Sequence, residues 1–179
     1  MGLFSKLFGS EPEPLELPPL GDDGAVLVYT PLTGTVTPVT AMKDAVFVEE
    51  ILGKGIAVEP KVGRLTAPVD GRISAFYTTK HAICLTTPEG LELLIHIGEN
   101  TVNLGGRHFT ARVKKGDTVK AGQLLMEFDI AAIHKAGYTV TTPVIVIDPD
   151  SYDRIELANS TEITEGQVLL RVYPSKTAE

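Results

Sequence analysis

His81 and His96 lie near the two ends of one apolar segment, residues 80–98, which reads Lys-His-Ala-Ile-Cys-Leu-Thr-Thr-Pro-Glu-Gly-Leu-Glu-Leu-Leu-Ile-His-Ile-Gly. Paired imidazoles suit three kinds of work: carrying a phosphoryl group, holding a metal, or moving a proton. Neutral imidazole is a nucleophile near neutral pH because its ordinary pKa is about 6.5. One ring nitrogen can attack phosphorus while the other is held by a hydrogen bond, and a second imidazole or a hydroxyl can donate to the phosphoryl oxygens. Thr79, two residues before His81, offers such a hydroxyl on the same face if the strand is regular. Past His96 the chain enters Ile97-Gly98-Glu99-Asn100-Thr101-Val102, an irregular polar exit where Gly98 lets the backbone come close. As a metal site the pair is incomplete, since catalytic zinc wants three protein ligands and neither His-Glu-x-x-His nor His-x-His occurs. His81 and His96 could still bridge a zinc ion with a partner's carboxylate, as a contact rather than as chemistry. No other cofactor is required. His108 and His134 read as surface or loop positions.

Whether the imidazoles meet depends on the hairpin that carries them. Directly opposed residues would have β-carbons about 4.5–5.5 Å apart. Pro88-Glu89-Gly90, however, fits a three-residue loop with Gly90 left-handed. That odd register opposes His81 to Ile97, sends His96 to the other face, and gathers Ile83, Leu85, Leu93, Ile95 and Ile97 on one side. A four-residue loop or a bulge would restore the pair, and both registers stay open here.

The wider chain narrows the partners. Its 179 residues make one domain able to bury a core without staples. Sixteen basic against twenty-three acidic residues give a net charge of -7, and no basic cluster exceeds Lys114-Lys115, which excludes nucleic acid as a partner. The single cysteine, Cys84, allows no internal disulfide and points to a reducing cytoplasm. No apolar run reaches the ~18 residues of a spanning helix. Leu3, Phe4, Leu7 and Phe8 would share one face of a short N-terminal helix that could touch a membrane surface. Residues 1–24 read as a tail and Pro-rich linker, and residues 25–175 as the globular domain.

Within that domain, short runs of Val, Ile, Leu and Thr alternate with Gly, Pro and Asp about every 8–12 residues, the rhythm of an all-β sandwich or barrel. Helical turns are expected only near 38–42, 131–135 and 150–157. Pro31-Leu32-Thr33-Gly34 is echoed by Pro68-Val69-Asp70-Gly71, each a tight turn before a new strand. The stretch from Val113 to Leu125, with Lys120-Ala121-Gly122-Gln123 near its end, is echoed by Ile163-Thr164-Glu165-Gly166-Gln167-Val168-Leu169. Such turns occur in biotin- and lipoate-carrying sandwiches, but Met42-Lys43-Asp44 is the nearest approach to their cofactor lysine and lacks the pattern. No glycine cluster ends as a P-loop does.

Taken together, residues 25–173 resemble the glucose-type enzyme IIA of the bacterial sugar phosphotransferase system. The resemblance is carried in order by Pro31-Leu32-Thr33-Gly34, Gly53-Lys54-Gly55-Ile56-Ala57-Val58, Ala67-Pro68-Val69-Asp70-Gly71, His81-Ala82, His96-Ile97-Gly98 with Thr101-Val102, and Glu127-Phe128-Asp129. It implies an antiparallel β-sandwich, or barrel-sandwich hybrid, forming a type 1 IIA domain in the cytoplasm. It implies that His96 accepts phosphate from the phosphocarrier protein HPr and passes it to the cysteine of a IIB domain of a sugar permease. It further implies that His81 stabilises the phosphoryl group, that Thr79 bonds His81, and that the Gly98 carbonyl orients His96. Asp44 matches one of two aspartates that meet basic partner residues. Asn100 replaces the other, and Glu99 beside it could supply the missing charge. Val46, Phe47, Ile51, Tyr77, Ile83, Leu94 and Val102 match the apolar docking rim. Cys84 lacks the arginine that accompanies a IIB cysteine. Some relatives regulate permeases or kinases, so a regulatory binding module of the same fold is the alternative.

Overall fold

A computed structural model describes residues 16–176. The expected contacts of Leu3, Phe4, Leu7 and Phe8 lie outside the described residues. In chain order the elements are β1 (Val26–Tyr29), β2 (Gly34–Thr37), α1 (Ala45–Val48), β3 (Lys54–Pro60), β4 (Arg64–Thr66) and β5 (Gly71–Phe76). There follow β6 (Ala82–Thr86), β7 (Glu92–His96), β8 (Phe109–Ala111), β9 (Thr118–Val119), β10 (Leu124–Phe128) and α2 (Ile130–Lys135). The chain ends with β11 (Thr142–Val146), β12 (Tyr152–Leu157), β13 (Glu162–Ile163) and β14 (Val168–Pro174). Single 3-10 turns occur at Val39–Ala41, Thr101–Leu104 and Pro149–Ser151.

All strand pairs among the described residues are antiparallel, as the family resemblance implies. An eight-stranded sheet runs β13-β2-β3-β11-β7-β6-β5-β9, and two three-stranded sheets run β1-β14-β12 and β4-β10-β8, with no closed barrel. The inner face of the large sheet supplies Ile83, Leu85, Leu93, Ile95, Val144 and Val146 to the main core, where they meet Leu125, Met126, Leu170 and Val172 of the small sheets. Each such side chain contributes about 1.5–3 kcal/mol by leaving water. The outer face is covered as well: Ala82, Leu94 and Ile145 form a second cluster with Val39, Met42 and Phe47. That is why β11 is buried along its whole length.

The repeated motifs turn out to be one local solution used twice. Tyr29 N donates to Pro68 O and Thr66 N to Pro31 O, both at 2.9 Å, so the two Pro-x-x-Gly segments clasp each other. The Gln123 side chain accepts from Lys120 N at 3.2 Å and the Gln167 side chain from Thr164 N at 2.8 Å, closing the two echoing turns identically. Their carbonyls then hold the clasp, accepting from Ala67 N and Thr30 N.

Three expectations change: helical turns also form at Ala45–Val48 and Thr101–Leu104, outside the three stretches expected to hold them. Residues 150–157 are not a helical turn beyond Ser151; Tyr152–Leu157 is an edge strand on β14, with its charged side chains in water. The end of the anticipated linker is docked: Leu20 bridges Val26, Pro18 O accepts from the Tyr29 hydroxyl at 2.8 Å, and Asp23 accepts from the Tyr173 hydroxyl at 2.8 Å.

Candidate active site

The β6–β7 hairpin adopts the odd register. Ala82 pairs with His96, Ile83 with Ile95 and Leu85 with Leu93, and Ile97 N donates to His81 O at 2.7 Å. Thr87 N bonds Leu91 O across Pro88-Glu89-Gly90, where Gly90 has φ +93°. This register puts His96 on the outer face with Leu94 and Ala82, as hairpin geometry requires. The imidazoles nevertheless meet, with ring centroids 4.9 Å apart and planes at 78°. Neither an even loop nor a bulge between β6 and β7 is needed. His81 precedes the first residue of β6 and closes the β5–β6 connection, where Lys80 has φ +59° and Lys80 N donates to Tyr77 O at 2.8 Å. Thr79 lies in this turn, so its closeness to His81 arises from the turn and not from strand alternation.

Each ring is held by its Nδ1. His96 Nδ1–H donates to the Gly98 carbonyl at 2.7 Å, leaving Nε2 with a bare lone pair. His81 Nδ1 lies 2.6 Å from the Thr79 hydroxyl. When that hydroxyl donates, His81 carries its proton on Nε2 and can donate outward. Burial pushes the His81 pKa down to about 4, with repulsion from His96 adding to it. Burial also lowers His96, opposed by the Gly98 carbonyl and by the negative charges of Asp44 and Glu99. Both imidazoles are therefore neutral at pH 7, the state a nucleophile needs.

Gly98 could not be another residue. Its φ is +74°, and a β-carbon there would sit 2.2 Å from the Thr139 carbonyl oxygen. Asn100 also has a left-handed backbone, φ +59°, a conformation asparagine tolerates. Glu99 is engaged: its Oε1 accepts from both Lys43 N and Asp44 N at 2.7 Å. Asp44 in turn caps α1 by accepting from Val46 N at 3.0 Å. Asp44, Glu99 and Asn100 line one polar groove beside His96, with Lys43, Gly137, Tyr138 and Thr139. Phe47, carried by α1, packs its ring edge-on against His96 at 5.2 Å.

The apolar positions divide. Ile51 (64%), Tyr77 (49%) and Val102 (47%) are exposed, and Val46 is partly so. Ile83 is 1% exposed on the inner face, so it belongs to the main core and not to a docking rim. Phe47 and Leu94 are buried in the outer cluster and form the floor beneath the site. Thr101, to which sequence reasoning assigned no role, donates its hydroxyl to Ile97 O and ties the exit loop to the strand end. Its place between Gly98 and an apolar turn was the only signal. Thr141 O, which accepts from Gly98 N at 3.1 Å, had none. Cys84 is partly buried, and burial followed by the charge of Glu92 pushes its thiol pKa up, away from the reactive thiolate. His108 and His134 are exposed. Among the described residues no three His, Cys, Asp or Glu side chains cluster as a metal site, so zinc on His81 and His96 would need a ligand from elsewhere.

Comparison with known proteins identifies the family. Residues 26–152 match the family model for the phosphoenolpyruvate-dependent sugar phosphotransferase system, EIIA 1. A PTS system glucose-specific EIIA component of Oceanobacillus iheyensis is 40% identical over 166 residues, covering 92% of this chain and 95% of that one. A PTS system beta-glucoside-specific EIIBCA component of Halalkalibacterium halodurans is 45% identical over 145 residues, 81% of this chain but only 23% of that longer protein. Among solved structures, glucose permease IIA from Mycoplasma capricolum superposes with a TM-score of 0.77 at 32% identity, over 82% of this chain and 95% of that one.

Proposed function

The chain belongs to the EIIA 1 family of the phosphoenolpyruvate-dependent sugar phosphotransferase system, as one of its phosphoryl-carrying components, and we propose that His96 is the acceptor and His81 its transfer partner. The observation that carries this reading is the edge contact of two neutral imidazoles, each anchored through Nδ1. His96 Nε2 attacks the phosphorus of HPr phosphohistidine; the new N–P bond forms as the old one breaks, and the HPr imidazole leaves. His81 Nε2–H donates to a phosphoryl oxygen, favouring the charge-bearing transition state. In the second step a IIB cysteine thiolate attacks the same phosphorus and His96 departs as a neutral imidazole. The matching region's place inside longer EIIBCA chains supports a IIB acceptor. Ile51, Tyr77 and Val102 would meet both partners, with Asp44 and Glu99 offering charge to basic partner residues. Zinc bridging the two imidazoles and a partner's carboxylate would be a contact that blocks the same Nε2 atoms.

We place the chain in the cytoplasm as residues 25–175 of a IIA domain with its N-terminal tail. In support, the chain matches a glucose-specific EIIA component along 95% of that protein's length. The test is incubation with phosphoenolpyruvate, enzyme I and HPr, then addition of a IIB domain. His96→Gln is expected to take up no acid-labile phosphate. His81→Gln is expected to take it up but pass it on at least about a hundredfold more slowly, within the range removed with general acid catalysis. Equal uptake by both variants would sink the assignment.

A further inference from the structure

The register of the β6–β7 hairpin raises a question that the paired histidines alone do not answer. Ala82 opposes His96, so a pleated residue 81 would point with Ile83 and Ile97 into the main core, away from His96. His81 escapes this because the strand does not reach it. The β5–β6 pairing ends at Phe76 with Ile83, Tyr77 N then donates to Ala82 O, and four residues, 78–81, make the connection. Within that connection Lys80 N returns to Tyr77 O, and Lys80 takes φ +59°. Lysine has no side-chain means of favouring that region, unlike Asn100, His108 or Asp148, which share it elsewhere in the chain, as does Glu50 just past the end of α1. A non-glycine residue held there next to a reactive side chain is the kind of local strain that folds retain at working sites.

We propose that Lys80 is a positioning residue for phosphoryl transfer: its left-handed backbone, not its charge, closes the 78–81 loop so that the His81 ring meets both His96 and the Thr79 hydroxyl. This rests on the transfer role proposed for His81. The loop shape places the Thr79 hydroxyl 2.6 Å from Nδ1, which directs the His81 proton to Nε2. It also lays the Tyr77 ring against His81, with centroids 5.5 Å apart. An extended residue 80 would return residue 81 to the pleat and leave His96 alone on its face.

The experiment is a substitution series at residue 80 in the full chain, ordered by tolerance of the left-handed region: Lys80→Gly, Lys80→Asn, Lys80→Ala and Lys80→Val. All four remove the charge. Phosphate uptake by His96 from HPr reports a folded site, and onward transfer to a IIB domain reports His81. Expected are wild-type transfer or better for Gly and Asn, near wild-type transfer for Ala, which meets the left-handed region on the same terms as lysine, and a loss of about tenfold or more for Val, whose β-branch makes that region an outlier. Nitrogen NMR of His81 should show the Nε2–H tautomer retained in Gly, Asn and Ala and eroded in Val, a readout that a general loss of stability would not move. Equal losses across all four variants, a loss of about tenfold in Lys80→Ala, or full transfer by Lys80→Val would overturn the inference. His81→Gln run alongside separates the two proposals: if it transfers slowly while Lys80→Val transfers fully, the positioning role alone fails. If His81→Gln transfers normally, both fail.

Discussion

The 2.7 Å bond from His96 Nδ1 to the Gly98 carbonyl decides which nitrogen of that ring can react, because a carbonyl can only accept. Gly98 is consequently as tightly specified as the histidine, and Gly98→Ala should abolish phosphate uptake through collision with the Thr139 carbonyl, as uptake assays on folded protein would show. Burial of the imidazoles also predicts a pH signature. The unfolded chain takes up its histidine protons near pH 6.5, whereas folded His81 resists until about pH 4. Across that window the unfolded state binds more protons, so stability falls as the pH falls. His81 contributes up to about 3 kcal/mol of that loss. Urea midpoints between pH 7 and pH 4 should drop accordingly and flatten in His81→Gln; an unchanged slope would contradict the burial. At this scale the sequence was informative about which residues matter, since the His-x-Gly spacing after a strand and the preceding Thr-x-His could be seen directly. How His81 reaches His96 was not, because the left-handed turn is made by a lysine, a residue that gives no warning of it.

Among the elements, α1 lies under the candidate site and is hidden by its composition. Four residues, Ala-Val-Phe-Val, look like a strand and cannot stand as an isolated helix. Tertiary contacts hold it: Asp44 caps it, Glu99 ties the preceding loop to the exit of β7, and Phe47 lies under the His96 ring. Removing the Glu99 carboxylate strips acceptors from two backbone amides. Glu99→Ala should therefore cost about 1.5–3 kcal/mol, measured by thermal or urea unfolding, and accelerate amide exchange at Val48 and Glu49. No loss of protection there would mean that the loop stands without Glu99. The strands were legible because β-branched runs broken by Gly and Pro have few alternatives. The edge strand β12 was misread because Tyr-Asp-Arg-Ile-Glu-Leu covers only one face and shows no alternation. The hairpin loop was legible from Pro88-Glu89-Gly90, and the inference that it must change to bring the histidines together was wrong: a second loop, between β5 and β6, does that work.

For the molecule as a whole, a sandwich closed on both faces leaves its exposed side chains for partners. Among the expected apolar docking residues Ile51, Tyr77 and Val102 are exposed and Val46 partly so. Val102→Glu should raise the apparent KM for HPr about tenfold, the scale of a well-placed interface contact, with the melting temperature nearly unchanged. Ile83→Ala should do the reverse, losing about 2–5 kcal/mol of stability through a core cavity while the KM holds. The division between core and rim was invisible in the sequence because both are written in the same apolar residues. The central claim, that His96 carries the phosphoryl group on the nitrogen left free by Gly98, is tested most directly by phosphorus and nitrogen NMR of the histidine-labelled protein after incubation with phosphoenolpyruvate, enzyme I and HPr. A phosphorus coupled to His96 Nε2 is the predicted result; a phosphorus on His96 Nδ1, or on His81, would contradict it.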